Sequence, residues 1–302
     1  MLHSRILRYL DEVARCGSIR KAAARLNVAS SAVNRQILAV EKELGTTIFQ
    51  RLPRRLRLTA AGEIIINHVR QTLKEHDRVR SRVSNLKGLN AGEVTIATMN
   101  GPASGILPRV AAAFAERYPR VKLSIRSLFV DDIVNAVIAG EADLGLAYNI
   151  RTDPRLHVIE SFETPLGAIV APTHPLAARS PVRLSDCAAH PIILADANMT
   201  IHGIMLDAFE RANLTVEPKF RSNSLEFLKA LARSGEGVTF LSNVDIAQEQ
   251  HAKTLVYLPI GDRGFPRQSL VLLQRARRTL DAAPSKFAEA IRTSVHELIR
   301  GG

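Results

Sequence analysis

Four arginines, Arg51, Arg54, Arg55 and Arg57, fall within seven positions around Pro53. A guanidinium is always charged and carries a rigid fork of donors, so a cluster of this kind suits phosphate oxygens and the minor groove of a duplex. A second set lies upstream: Ser30, Ser31, Ala32, Asn34 and Arg35. Asparagine can bond an adenine edge bidentately, arginine suits guanine or a phosphate, and small residues let a helix come close to base edges. Gln36 has the same chemistry as Asn34 but is turned nearer the core side, which makes it the weaker candidate.

These side chains need elements that present them. Ile6, Leu10, Val13 and Ala14 share one face of a short helix that Gly17 ends. Ser18 is placed to cap a second helix carrying Ala22, Ala23 and Leu26 inward. A third helix is expected from Ser30 to Gly45, packing Val33, Ile37, Val40 and Leu44 inward and showing Ser31, Arg35, Leu38 and Lys42 on the opposite face. Two helices around a tight turn make a helix-turn-helix. The alternating stretch from Thr46 to Thr59 then predicts a small β-hairpin, or wing, with the four arginines exposed. Thr59 can cap a long helix running to about Leu86 and ended by Lys87-Gly88, with Ile65, Ile66, Val69, Leu73, Val79, Val83 and Leu86 apolar. Lying outside either globular core, that helix needs a partner to cover its stripe.

Charge agrees with this division. The 302 residues carry a net charge of +12, but residues 1–88 hold 18 Lys and Arg against 7 Asp and Glu, and the remainder 23 against 22. A basic module joined to a neutral one points to a polyanion as partner of the first part, and with the helix-turn-helix that polyanion is expected to be double-stranded DNA. With 46% hydrophobic residues, wholesale disorder is excluded. Apolar runs such as Ala111–Ala115 are too short to cross a bilayer, and Arg5, Arg8, Asp11, Glu12 and Arg15 leave no room for a secretory apolar segment. A soluble, cytoplasmic protein with no membrane partner is expected. Cys16 and Cys187 sit in different modules and are expected to be inert thiols, with a redox role of Cys187 left open.

From Glu93 the pattern becomes alternating short strands (94–97, 121–127, 144–148, 166–170, 192–195, 219–221, 238–241, 255–258 and 269–273) and helices, which predicts an α/β layer structure. No nucleophile-elbow, phosphate-loop or zinc-protease motif occurs, and Gly235-Glu236-Gly237 precedes a strand without a third glycine at the required offset. The nine histidines show no metal-ligand spacing. No catalytic residue, metal or cofactor is therefore assigned, and an enzyme is not expected.

The residues Gly17-Ser18, Ala22-Ala23, Leu26, Ala32-Val33, Gln36-Ile37, Glu41, Leu44-Gly45, Phe49-Gln50-Arg51 and Leu58-Thr59-x-x-Gly62 resemble, in register, the N-terminal module of LysR-type transcriptional regulators. Ala29, Ser30, Asn34 and Val40 depart from that family's usual serine, glutamine, serine and leucine, at the positions where the third helix starts and meets bases. Further on, Leu107-Pro108, Phe114, Tyr118-Pro119, Gly140-x-x-Asp143-Leu144-Gly145 and Ala230-x-x-x-x-Gly235-x-Gly237 look like the family's effector-binding domain.

The resemblance implies a winged helix-turn-helix at 1–58, a linker helix at 59–89 pairing antiparallel with a second subunit, and an effector-binding domain at 90–302. That domain would resemble periplasmic binding proteins, with subdomain 1 at 91–162 and 268–302 and subdomain 2 at 163–267. Its effector would sit where strand ends meet helix N-termini, which suit a small anion such as an organic acid. The loops concerned carry Thr98, Met99, Asn100 and Gly101, then Ser127 and Phe129, then Thr200 and His202, then Ser222 and Asn223. The expected function is sequence-specific transcriptional regulation set by that effector, with dimers packed in a tetramer and RNA polymerase an open further partner.

Overall fold

The computed structural model describes residues 5–52, 55–85, 92–277 and 279–301. The chain divides into two units, Met1–Gly88 and Leu89–Gly302.

The first unit runs α1 (Arg5–Cys16), α2 (Ile19–Leu26), α3 (Ser30–Leu44), β1 (Phe49–Leu52), β2 (Arg55–Leu58) and α4 (Ala60–Asn85). Ser18 caps α2 by accepting from Lys21 N, and Asn27 ends it in the left-handed conformation (φ 54°). Leu10, Val13, Ala22, Ala23, Val33 and Ile37 form the core where the three helices meet. On α3, Leu44 is exposed instead of packed inward, because the core beneath the last turn has already closed over Ile37 and Ile48. β1 and β2 pair antiparallel, Phe49 opposite Leu58 and Leu52 opposite Arg55.

The long helix departs from expectation. Ile66 and Val69 are buried in the first unit's core and Ile65 and Leu73 pack against it. Arg70 also reaches Asp11 on α1 at 2.9 Å. The first turns of α4 thus belong to a globular core, and only Val79 among the later apolar residues of described side chain is exposed. Val83 falls where side chains are not described, and Leu86, Lys87 and Gly88 lie outside the described residues.

The second unit continues with β3 (Gly92–Thr98), α5 (Asn100–Ser104), α6 (Leu107–Arg117), β4 (Val121–Ser127), α7 (Val130–Ile138), β5 (Leu144–Tyr148), β6 (Leu156–Glu163) and β7 (Leu166–Val170). A 3-10 turn (Pro175–Ala178), α8 (Leu184–Ala188), β8 (Ile193–Ala195), α9 (Thr200–Arg211), β9 (Phe220–Ser222) and α10 (Leu225–Arg233) follow. The chain then forms β10 (Thr239–Ser242), α11 (Ala247–His251), β11 (Val256–Pro259), β12 (Ser269–Arg275) and α12 (Ala282–Gly301).

Five strands form one sheet in the order β4-β3-β5-β12-β6, with β4, β3 and β5 parallel and β12 antiparallel to both its neighbours. β7 stands between β10 and β11, antiparallel to both, and β8 pairs parallel with β9. Each half has its own two-faced core. Val94, Ile96, Phe114 and Phe287 lie on one face of the first sheet and Ala97, Ile133 and Val137 on the other. Ala168, Phe209 and Phe240 pack on one side of the second half, and Ile169, Leu228 and Leu241 on the other. The chain leaves the first sheet at Glu163, enters the second at Leu166, and returns between Pro259 and Ser269.

β6 is absent from the strands that the sequence pattern marks. It is the edge strand, and of its residues LHVIESFE only Phe162 is buried, the rest being exposed or half-buried with little apolar alternation.

Candidate nucleic-acid interface and ligand cleft

The face of α3 turned away from the core carries Ser30, Ser31 and Arg35, all exposed, with Ala32 and Asn34 half-buried beside them. Gln36 is exposed as well. On the wing, Arg51, Arg55 and Arg57 are exposed, while Arg54 lies outside the described residues.

Three local devices hold the wing to the helix. Glu41 on α3 accepts from the backbone N–H of Ile48 at 2.7 Å and of Phe49 at 3.1 Å, so β1 starts at a fixed point. Arg51 Nη2 donates to Asn34 Oδ1 at 3.0 Å. Thr59 donates to the Thr47 carbonyl at 2.6 Å and accepts from Gly62 N at 2.9 Å, which closes the hairpin and starts α4 together. Gly62 is required there: a Cβ would come within 2.1 Å of the Ile48 carbonyl oxygen. On the far side, Leu56 N bonds the Gly17 carbonyl at 2.8 Å and ties the wing to the turn after α1. Thr59 caps α4 as its sequence position predicts, while Glu41 and Gly62, which the sequence marks only as matches in a pattern, act as braces.

In the second unit the ten effector candidates come together as two pairs of loops. Thr98 and Ser127 end adjacent parallel strands in register, and Leu128 N bonds the Thr98 carbonyl at 2.9 Å. Ala195 and Ser222 do the same in the other half, where Asp196 N bonds the Ser222 carbonyl at 3.0 Å. The side chains differ greatly in access. Thr98 is wholly buried and its hydroxyl reaches only the neighbouring Met99 carbonyl, at 3.4 Å. Met99 sulfur accepts from Tyr148 N. Gly101 is buried so tightly that a Cβ would meet Asp245 Oδ1 at 2.0 Å. Asn100, Ser127, Thr200 and Asn223 are exposed, as is Phe129 at 71%. His202 is half-buried, its Nδ1 2.9 Å from the Ala195 carbonyl, and the Ser222 hydroxyl accepts from Ser224 N at 3.1 Å.

Sequence reasoning missed a buried polar cluster that welds the two halves. Tyr148 hydroxyl lies 2.7 Å from Ser242 Oγ and donates to Asp245 Oδ1 at 2.8 Å. Asp245 also accepts from Ser242 N and Oγ, both at 3.1 Å. Beside it, Lys229 is 1% exposed and bridges Glu226 at 2.7 Å and Glu249 at 2.9 Å, and it also contacts Ser104. Burial pushes both Tyr148 and Asp245 above their ordinary ranges. Val244 belongs to the core of the first half and Ile246 to that of the second, so this segment is common to both. No spacing rule marks it, because its members come from five separate stretches of chain. Two concavities, of about 450 and 520 Å³, lie elsewhere in the unit and are lined by none of the ten candidates.

Burial pushes the Cys187 thiol up to about 12, which leaves no reactive thiolate near neutrality. Burial and a hydrogen bond to Glu12 raise Cys16 as well. Among the described residues no group of His, Cys, Asp or Glu is arranged to hold a metal ion, and no helix is long and apolar enough to cross a membrane.

A braced winged helix-turn-helix in one chain with a two-halved α/β domain defines a transcriptional regulator that binds DNA and takes a small-molecule input. The bacterial regulatory helix-turn-helix model of the lysR family matches residues 4–63, and the LysR substrate binding domain model matches residues 87–295. The chain belongs to the LysR family of transcriptional regulators.

It is 28% identical over 294 residues to the RuBisCO operon transcriptional regulator of Allochromatium vinosum, covering 95% of this chain and 94% of that protein. It is 29% identical over 292 residues to the transcriptional dual regulator GltC of Bacillus subtilis, covering 95% of each. Among solved structures, full-length CbnR in complex with its target DNA superposes with a TM-score of 0.67 at 21% identity, over 96% of this chain and 99% of that one. At that identity the likeness establishes the fold.

Proposed function

We propose that the first unit reads an operator through Ser30, Ser31, Ala32, Asn34 and Arg35 on α3, with Arg51, Arg54, Arg55 and Arg57 of the wing on flanking phosphates or in the minor groove. The observation that carries this is the exposed α3 face flanked by exposed wing arginines, braced by the Arg51–Asn34 bond. Cations bonded locally to the reading helix set its register on the duplex, while base edges supply sequence. Residues 59–89 pair subunits, dimers pack into tetramers, and RNA polymerase is a further partner. Work on chromosomal DNA places the protein in the cytoplasm, and no catalytic step is assigned to it.

The second unit, divided at 163 and 268, takes a small organic acid or another small anion between its halves. Of the four loops, the one before α9 suits an anion best. Its first turn holds no acidic residue and Met199 supplies no side-chain cap, whereas α7 opens with Asp131 and Asp132 and α10 with Glu226. The loop before α5 also lacks an acid and a cap, but that helix is only five residues long and Thr98 and Gly101 are buried there. Thr200 and His202 would contact the ligand, and closure of the halves on it would change how dimers pack on DNA.

An electrophoretic shift with the protein's own upstream DNA tests the first part. Arg35→Ala or Arg55→Ala should weaken binding about tenfold at physiological salt. Unchanged affinity in both variants would contradict the reading. Thermal-shift screening of small organic acids tests the second, since a bound ligand raises the melting temperature and Thr200→Ala should abolish the rise.

A further inference from the structure

Asn34 is half-buried where α3 meets the wing, and its Oδ1 accepts from Arg51 Nη2 at 3.0 Å. Arginine carries donors only, so the amide atom turned toward it is the oxygen. The two hydrogens on Nδ2 are then the part of the side chain left to meet a base. An unconstrained asparagine recognises adenine by using both ends at once, its oxygen taking a hydrogen from N6 and its NH2 giving one to N7. The bond takes one of the two lone pairs of that oxygen and turns the carbonyl toward Arg51, which disfavours the coplanar two-ended pairing and leaves adenine's own N6 hydrogens facing the Asn34 NH2. Guanine presents two acceptors, N7 and O6, on the same edge, which fits a group that only donates.

We propose that Arg51 is a specificity-determining residue: by holding the Asn34 carbonyl it makes Asn34 a donor-only reader that selects guanine over adenine at one operator base pair. This rests on the reading of α3 as the base-contacting helix. It also gives the first wing arginine a part in base choice, where the cluster as a whole would otherwise contribute only phosphate affinity.

Selection of binding sites from a randomised duplex by the full-length protein tests this. Asn34→Ala should make one base pair of the selected half-site degenerate and weaken binding by about tenfold, which identifies the position. The wild-type protein should carry guanine there. Arg51→Met frees the carbonyl and should admit adenine at that position and no other. Asn34→Asp keeps the partner of Arg51 but turns an acceptor outward, so the preference should move to cytosine, whose N4 donates. Adenine in the wild-type site would overturn the assignment while leaving DNA reading by α3 intact. So would an unchanged guanine preference in Arg51→Met or, should that variant lose binding, in Asn34→Asp. A wild-type protein that selects no duplex would overturn the DNA reading and the assignment with it.

Discussion

The two units put their charged groups to opposite use. In the first, the arginines of the wing stand exposed and are positioned by short local bonds, so that the surface is free to meet a polyanion. In the second, the most conspicuous charges are buried: Lys229 with Glu249, and Asp245 with Tyr148. Surface charge is inexpensive to display and strongly felt by DNA, while a buried charge is tolerated only with its partners in place and fixes one arrangement of the elements around it. One chain thus keeps charge free for recognition at one end and committed to architecture at the other.

The largest effect that can break this comparison is expected at Lys229. Lys229→Met leaves the buried Glu249 carboxylate with only the longer contact to half-exposed Arg233, at 3.5 Å, and should cost about 3 kcal/mol, read by urea denaturation of the full chain. A cost below about 1 kcal/mol would mean that the buried charges are not structural. Next, Gly62→Val drives a side chain into the Ile48 carbonyl oxygen and should disrupt the wing. DNA affinity should fall at least tenfold while the denaturation of the second unit stays as it was.

Thr98→Val and Thr200→Ala form a sharper pair. Thr98 is buried with only a 3.4 Å contact to its neighbour's carbonyl, so its substitution should leave the effector's action unchanged and cost about 1 kcal/mol or less of stability. Thr200 is exposed at the start of α9, and its loss should weaken that action. The opposite ranking would move the ligand toward the first half.

The smallest effect concerns acid. Asp153 accepts side-chain and backbone hydrogen bonds from Arg155, which hold its carboxyl at about 2, below its ordinary 3.8. A depressed carboxylate contributes stability above its unfolded value, and that contribution is lost as pH falls through the folded value. Asp153→Asn should therefore lower stability slightly at neutral pH, because the pair is solvent-screened, and flatten the profile between about pH 4 and pH 2. Circular dichroism melts of both proteins across that range should converge at the acid end.

Much of this was legible in the residues. The inward stripe Val33 and Ile37 fixed the outward face of α3, and Gly17 and Ser18 marked the turn before α2. Strands such as β5, buried on both faces, read directly from Leu144 to Tyr148. Three things were hidden for physical reasons. β6 is an edge strand of mixed polarity, so no period betrays it. The stripe on α4 looked unpartnered because contacts from Ile66 and Val69 to α1 join residues far apart in sequence. Thr98 carries the residue type expected of a ligand loop, yet its position at the end of a central strand buries it. Type and spacing locate a loop; they do not say which of its side chains faces solvent.

The most direct test of the comparison is the salt dependence of DNA binding, measured by fluorescence anisotropy on the upstream duplex. Log K should fall steeply with log salt. Replacing Arg51, Arg55 and Arg57 together with alanine should lower the slope by about three, one for each phosphate no longer neutralised. The same substitutions should leave thermal stability within about 1 kcal/mol of wild type, since all three are exposed. A slope that did not change would mean that the exposed arginines are not the surface that meets DNA.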